Sequence, residues 1–276
     1  MNHSELLQRR AVMVERHVMG RNVRAERVLD AMREVPREEF VPRALLEFAF
    51  DDVSLPRHGG LLLPPPSDVG VMLAALGLKA QDKVLEIGTG VGYVTALLSR
   101  LCATVYSVEP QGPAALAAMS MLARLGCHNV HVRHDSGAKG WPEEAPFDAI
   151  VVHARARHVP QALKNQLAPG GRLVMPLGDD PEVGEWVRVM RLVGDQFRVD
   201  DMAFLHYRDA AFLSARGALV PGQTMAWDML LSFAASAEDP ISGGRHKVLG
   251  SKRLFIPPQT STIASHLPKA VGTAFS

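Results

Sequence analysis

The run Val84-Leu85-Glu86-Ile87-Gly88-Thr89-Gly90-Val91-Gly92-Tyr93 constrains the fold more than any other part of this chain. From Lys83 to Ile87 the apolar run suits a strand buried on both faces, as in a parallel sheet covered by helices. The glycines fall where such a strand must turn directly into a helix. Lacking Cβ atoms, Gly88, Gly90 and Gly92 let a ligand come against bare backbone, and the next helix aims its N-terminus there. Ala103-Thr-Val-Tyr-Ser-Val-Glu109 reads as a second strand ending in an acid. A carboxylate at that tip is placed to accept hydrogen bonds from a ribose diol.

The glycine spacing separates two kinds of nucleotide ligand. A dinucleotide fingerprint needs G-x-G-x-x-G, and its third glycine would fall where this chain has Tyr93. An acid two residues before the first glycine, followed by G-x-G-x-G, resembles the pattern of S-adenosyl-L-methionine (SAM) methyltransferases. The resemblance assigns Glu109 to the ribose hydroxyls, and Glu86 to the glycine loop and the methionine end of the cofactor. A glycine-rich turn in some other α/β protein is the alternative.

Composition narrows the class of protein. Hydrophobic residues at 47% and charged residues at 21% are values of a globular chain with a sizeable core. Lys+Arg 30 against Asp+Glu 29 gives no bulk electrostatic reason to expect nucleic acid or an anionic membrane. Two cysteines, Cys102 and Cys127, are too few for a disulfide framework and fit a reducing compartment. The first residues lack an apolar signal core, and no apolar run approaches the ~18 residues of a membrane span. A cytoplasmic location is expected.

Periodicity places the elements. Helical spacing runs over 4–34, and residues 44–66 read as irregular around Pro42 and Pro64-Pro65-Pro66. Ser67-Asp68 is a candidate cap for a helix reaching Leu76. Helices are expected near 92–101, 113–125 and 160–167, and strands at 83–87, 104–109, 129–133, 147–152 and 171–176. Residues 185–193 and 196–199 read as an antiparallel hairpin. The expected class is α/β, with a Rossmann-like, doubly wound, mostly parallel sheet ending in that hairpin. Three regions follow: an N-terminal helical and acceptor-flap region (1–66), a SAM-binding domain (67–216) and a C-terminal extension (217–276). The extension has one candidate helix at 224–235 and basic residues at Arg245, Lys247, Lys252 and Arg253.

Over about residues 10–205 the chain resembles protein-L-isoaspartate (D-aspartate) O-methyltransferases. The match is carried by Met13-Val-Glu-Arg, by 28–42 with its Val-Pro-Arg-Glu-Glu-Phe-Val-Pro ending, and by the glycine segment. Val105-Tyr-Ser-Val-Glu109, Gly140-Trp-Pro-Glu-Glu-Ala-Pro-Phe-Asp-Ala-Ile-Val-Val152 and 167–178 extend it. The resemblance implies a Rossmann-like SAM methyltransferase acting on isoaspartyl protein or peptide. It also implies Asp135 or Ser136 as the adenine contact, and His58, Gly59, Leu61 and Leu63 as the acceptor border.

Three departures stand out. Where the family has a Gly-Gln-Thr-Ile-Ser-Gln-Pro-like segment, this chain has Gly59-Gly-Leu-Leu-Leu-Pro-Pro65. His134-Asp-Ser-Gly137 stands for a Gly-Asp-Gly, and His153-Ala-Arg-Ala-Arg157 for a threonine and small residues. A carboxylate acceptor is already ionised at pH 7 and needs no general base, so the missing hydroxyls position more than they activate. Two lost hydrogen bonds to a charged group, roughly 1.5–3 kcal/mol each, weaken acceptor binding about 10²–10⁴-fold unless replaced. Arg57, His153, Arg155 and Arg157 are candidates to replace them, since an arginine fork grips a carboxylate bidentately.

Three readings stay open on these residues. One is an isoaspartyl methyltransferase that recognises the carboxylate through basic side chains. Another is the same fold with a more apolar acceptor received by Leu61–Leu63. The third is a non-catalytic member that meets a protein partner through 217–276. His128, His131 and His134 recur every three residues, but on a strand that spacing alternates faces and does not converge on a metal. No metal site is expected.

Overall fold

The computed structural model describes residues 2–178, 185–192, 196–201, 248–251 and 256–260. The chain divides into two compact units, 1–200 and 201–276.

The first unit begins with α1 (His3–Met13), capped by Asn2, whose side-chain oxygen accepts from the Glu5 N–H at 2.9 Å. A π-helical segment (Val14–Val18) and a 3₁₀ turn (Met19–Arg21) follow, and Asn22 ends the turn at φ 61°. α2 (Glu26–Glu34) starts afterwards, so the single helical stretch expected over 4–34 is broken. Asn tolerates this left-handed position better than most residues do, which is why the break falls there. Two short 3₁₀ turns, Arg37–Phe40 and Arg43–Phe48, follow Pro36 and Pro42.

The segment expected to be irregular contains a small antiparallel pair, β1 (Leu55–Pro56) and β2 (Leu62–Leu63). Gly59 and Gly60, at φ 74° and 75°, make the reversal between them. α3 (Pro66–Leu76) starts at Pro66, not behind a Ser67-Asp68 cap. Pro66 brings a preset φ to the first turn, and the Ser67 N–H is taken by Asp52 Oδ1 at 3.0 Å.

Alternating elements then build the main sheet: β3 (Lys83–Ile87), α4 (Tyr93–Leu101), β4 (Thr104–Glu109), α5 (Gly112–Arg124) and β5 (Val130–His134). β6 (Phe147–Val152), α6 (Gln161–Asn165), β7 (Leu167–Leu177), β8 (Glu185–Arg191) and β9 (Phe197–Asp201) complete it. The strand order is β5-β4-β3-β6-β7-β8-β9, parallel from β5 through β7, with β8 antiparallel to β7. This is the Rossmann-like, doubly wound arrangement with a hairpin edge. Alternation along β3 splits the core: Val84 packs with the N-terminal helices, α3 and α4, while Leu85 and Ile87 pack with Val108, Ile150 and Leu163. Each fully buried aliphatic side chain there contributes about 1.5–3 kcal/mol.

The chain runs outward from β3 to β5 and then returns to β6 on the other side of β3. That reversal leaves a crevice beyond the carboxyl ends of β3 and β6, where open α/β sheets bind ligands. In the second unit, β10 (Val248–Ser251) pairs antiparallel with β11 (Ile256–Thr260). The candidate helix at 224–235 and Arg245, Lys247, Lys252 and Arg253 lie outside the described residues. Among the described residues, no helix is long and apolar enough to cross a membrane.

Candidate active site

A cavity of about 290 Å³ occupies the crevice. This is near the lower end of the ~300–1,000 Å³ typical of small-molecule sites. Its floor is the turn after β3, where Gly88 and Gly90 line the wall with φ 98° and 55°. A Cβ added at Gly90 would meet nothing within 4 Å, so this backbone faces open space a ligand can enter. Gly92 does different work. It precedes α4 at φ 87°, and a Cβ there would stand 3.4 Å from Ala118 and 3.6 Å from Leu122 of α5. The third glycine therefore serves helix packing, Gly90 bares the wall, and a Cβ at Gly88 would stand 3.4 Å from His153 Cβ.

Glu109 ends β4 at the cavity edge and is 2% exposed. Its Oε2 accepts from the Gly90 N–H at 2.8 Å and its Oε1 from the Gln111 N–H at 3.0 Å. Each carboxylate oxygen has two lone-pair sites, so this pinned group keeps capacity for a diol.

Glu86 is 0% exposed and lies behind the glycine turn, outside the cavity wall. Its Oε2 accepts from Thr95 Oγ at 2.6 Å and Ser107 Oγ at 2.7 Å, and its Oε1 lies 3.0 Å from His153 Nε2. Ser107 in turn shares a hydrogen bond with Thr89 Oγ at 2.6 Å. One buried carboxylate thus ties the glycine turn, α4, β4 and the residue after β6 together. Asp135 and Ser136 stand exposed after β5, outside the cavity wall. Asp135 donates its N–H to the Glu109 carbonyl at 3.2 Å, and its side chain accepts from the Ser136 N–H and pairs with Arg133.

On the acceptor side, Leu61, Leu62 and Pro64 line the cavity. Leu62 is 59% exposed, whereas Leu63 is 0% exposed and belongs to the core. Neighbours on a strand point to opposite faces, so the acceptor role expected for Leu63 passes to the two leucines before it. Gly59 is tied to the cofactor side through its carbonyl, which accepts from Gln111 Nε2 at 3.4 Å. The side chain of His58 lies outside the described residues. Of the four basic residues considered for the acceptor carboxylate, His153 lines the cavity and Arg57, Arg155 and Arg157 do not. Partial burial pushes the Arg57 guanidinium below its usual range.

Arg37 and Tyr93 also bear on the site, although their spacing does not mark them out. Tyr93 lines the cavity while 1% exposed, and the Arg37 guanidinium lies 5.0 Å from its ring centroid. Fully buried Arg37 donates from Nε to the Ala49 carbonyl at 2.9 Å and from Nη2 to the Pro64 carbonyl at 2.7 Å. It anchors the acceptor segment to the glycine turn. Burial raises the Tyr93 pKa, with Arg37 opposing, so the wall there is a neutral phenol at pH 7. Arg37 sits in the Val-Pro-Arg-Glu-Glu-Phe element, and that family-specific run was the signal available. Among the described residues, no group of three His, Cys, Asp or Glu side chains is placed to hold a metal.

Known proteins resemble this chain in sequence and in fold. The family model for protein-L-isoaspartate(D-aspartate) O-methyltransferase matches residues 8–207. Protein-L-isoaspartate O-methyltransferase 2 of Pelobacter propionicus is 45% identical over 199 residues, covering 72% of this chain and 88% of that protein. Protein-L-isoaspartate O-methyltransferase 1 of Geotalea uraniireducens is 45% identical over 197 residues, covering 71% and 90%. A solved protein-L-isoaspartate O-methyltransferase superposes with TM-score 0.59 at 25% identity, over 72% of this chain and 64% of that one. A Plasmodium falciparum chain, solved under the same enzyme name in complex with S-adenosyl-L-homocysteine, shares the fold with TM-score 0.60 at 21% identity. That similarity covers 73% of this chain and 94% of that one.

Proposed function

The chain belongs to the protein-L-isoaspartate(D-aspartate) O-methyltransferase family, and on that premise we propose that its crevice methylates the carboxylate of isoaspartyl residues in damaged protein, with SAM as donor. The observation that carries this reading is a buried acid at the tip of β4, pinned to the glycine turn and facing the same cavity as the acceptor segment.

The residues present suit the cofactor. Glu109 offers its free lone pairs to the ribose diol, and Gly90 clears the backbone for the chain that follows, with Gly88 beside it packed on His153. Glu86 acts from behind, fixing the turn through Thr95, Ser107 and Thr89 without reaching the ligand. When bound, the cofactor supplies an electrophilic methyl on a sulfonium, displaced in line without proton transfer. Alignment then does much of the catalysis. Leu61, Leu62 and Pro64 give the acceptor side an apolar wall, and Arg37 holds Pro64 in place.

The test is transfer of labelled methyl from SAM to an isoaspartyl peptide, beside the same peptide carrying ordinary aspartate. Label confined to the isoaspartyl form is expected. Equal labelling of both, or of neither, contradicts the assignment.

A further inference from the structure

We propose that His153 receives the acceptor carboxylate and replaces the hydroxyls missing from the acceptor segment. The proposal rests on the isoaspartyl reading above and names the side chain that completes that site.

Three observations lead to it. Among the described residues lining the cavity, His153 is the sole side chain able to carry positive charge; Glu109 is acidic and the rest are neutral. Its ring is also oriented, because Nε2 lies 3.0 Å from Glu86, a carboxylate with no exposure that is itself held by Thr95 and Ser107. With Nε2 committed to Glu86, Nδ1 is the ring nitrogen left for a ligand, and it donates to a carboxylate only when the ring is protonated, since a neutral ring has a single N–H. The histidine is 22% exposed at its side chain, open enough to be reached from the cavity.

Position within the sheet supplies the third. Glu109 sits at the tip of β4, the glycine turn follows β3, and His153 follows β6; these strands are adjacent in the order β4-β3-β6. Two strand spacings separate the tips of β4 and β6 by roughly 10 Å. A cofactor whose ribose rests on Glu109 extends across the glycine turn toward β6, so its reactive end and the acceptor come to the His153 side. Among the described side chains, the acceptor segment offers only Leu61, Leu62 and Pro64 to the cavity.

A carboxylate at His153 has two sources: the acceptor, or the amino-acid end of the cofactor itself. The observations favour the acceptor, because among the described residues lining the cavity no other side chain can carry positive charge, and the experiment separates the two. Full-length wild type, His153→Ala and His153→Gln are compared by calorimetric binding of S-adenosylhomocysteine, by binding of an isoaspartyl peptide to the loaded protein, and by steady-state methyl transfer. His153→Ala is expected to weaken peptide binding and raise the peptide KM about tenfold or more, the loss of a hydrogen bond to a charged group. S-adenosylhomocysteine affinity is expected to fall by less than peptide affinity does, since the ring also steadies Glu86 behind the glycine turn. His153→Gln keeps a donor and recovers part of the loss, which separates recognition from general damage to the fold. Peptide binding unchanged in both variants overturns the proposal and leaves the isoaspartyl reading standing. A loss confined to S-adenosylhomocysteine affinity also overturns it, assigning the ring to the cofactor's carboxylate. Failure of wild type to methylate the peptide removes the isoaspartyl reading and this proposal together.

Discussion

Single side chains carry the cofactor assignment, and Glu109 carries most of it. Its carboxylate is buried, pinned by two backbone N–H groups and turned to the cavity. On the proposed pose, Glu109→Ala removes the acceptor for the diol along with two backbone contacts. SAM affinity should fall about tenfold or more, over 1 kcal/mol, as measured by titration calorimetry; unchanged affinity would contradict the pose. Cys102 behaves in the opposite way, as a thiol with no task at the site. Burial, with Asp82 adding repulsion, pushes its pKa up from 9.0 to about 12. The unfolded chain gives up this proton near pH 9 and the native chain does not, so the native state binds more protons between pH 9 and 12. The stability Cys102 contributes is therefore complete below pH 9 and declines as pH rises toward 12. In denaturant titrations from pH 8 to 10.5, Cys102→Ala should show a shallower loss of stability than wild type. Equal slopes would show that this thiol does not titrate as described.

At the level of elements, the alternation of β2 decides what a substitution does. Leu62 and Leu63 are adjacent in sequence, yet one is 59% exposed at the cavity and the other fully buried. Leu63→Ser removes buried volume and places a hydroxyl in the core, and should lower stability by about 2–5 kcal/mol in denaturant unfolding. Leu62→Ser should leave stability within ~0.5 kcal/mol while changing the acceptor KM. The reverse pattern would mean that β2 is turned the other way. Spacing alone does not show this difference, because Leu61-Leu62-Leu63 is an unbroken apolar run without period. The same limit hid β1 and β2, whose two-residue strands are too short for alternation to register. Longer elements were readable: 83–87, 104–109 and 147–152 are rich in β-branched and other apolar residues with few polar interruptions, and each is a strand. Glu86 was legible as a residue bearing on the glycine turn. Its grip on Thr95, Ser107 and His153 was not, since those partners come together only when α4, β4 and β6 pack around β3.

Across the whole molecule, the family match over 8–207 and the compact unit 1–200 nearly coincide, and the cavity lies within both. A ligand that binds only the folded state at 100 times its Kd adds about 2.7 kcal/mol. In a unit of 200 residues that corresponds to a rise in Tm of roughly 5–10 °C, at about 2–4 °C per kcal/mol. Saturating S-adenosylhomocysteine should produce this shift in wild type and a clearly smaller one in Glu109→Ala, read by calorimetry at matched concentration. The account stands or falls on where that ligand lies. The direct measurement is a crystal structure of the protein with S-adenosylhomocysteine. We predict the ribose hydroxyls within hydrogen-bond distance of the Glu109 carboxylate and the ligand chain against Gly88 and Gly90; a ribose held elsewhere, with Glu109 still bonded only to backbone, would contradict it.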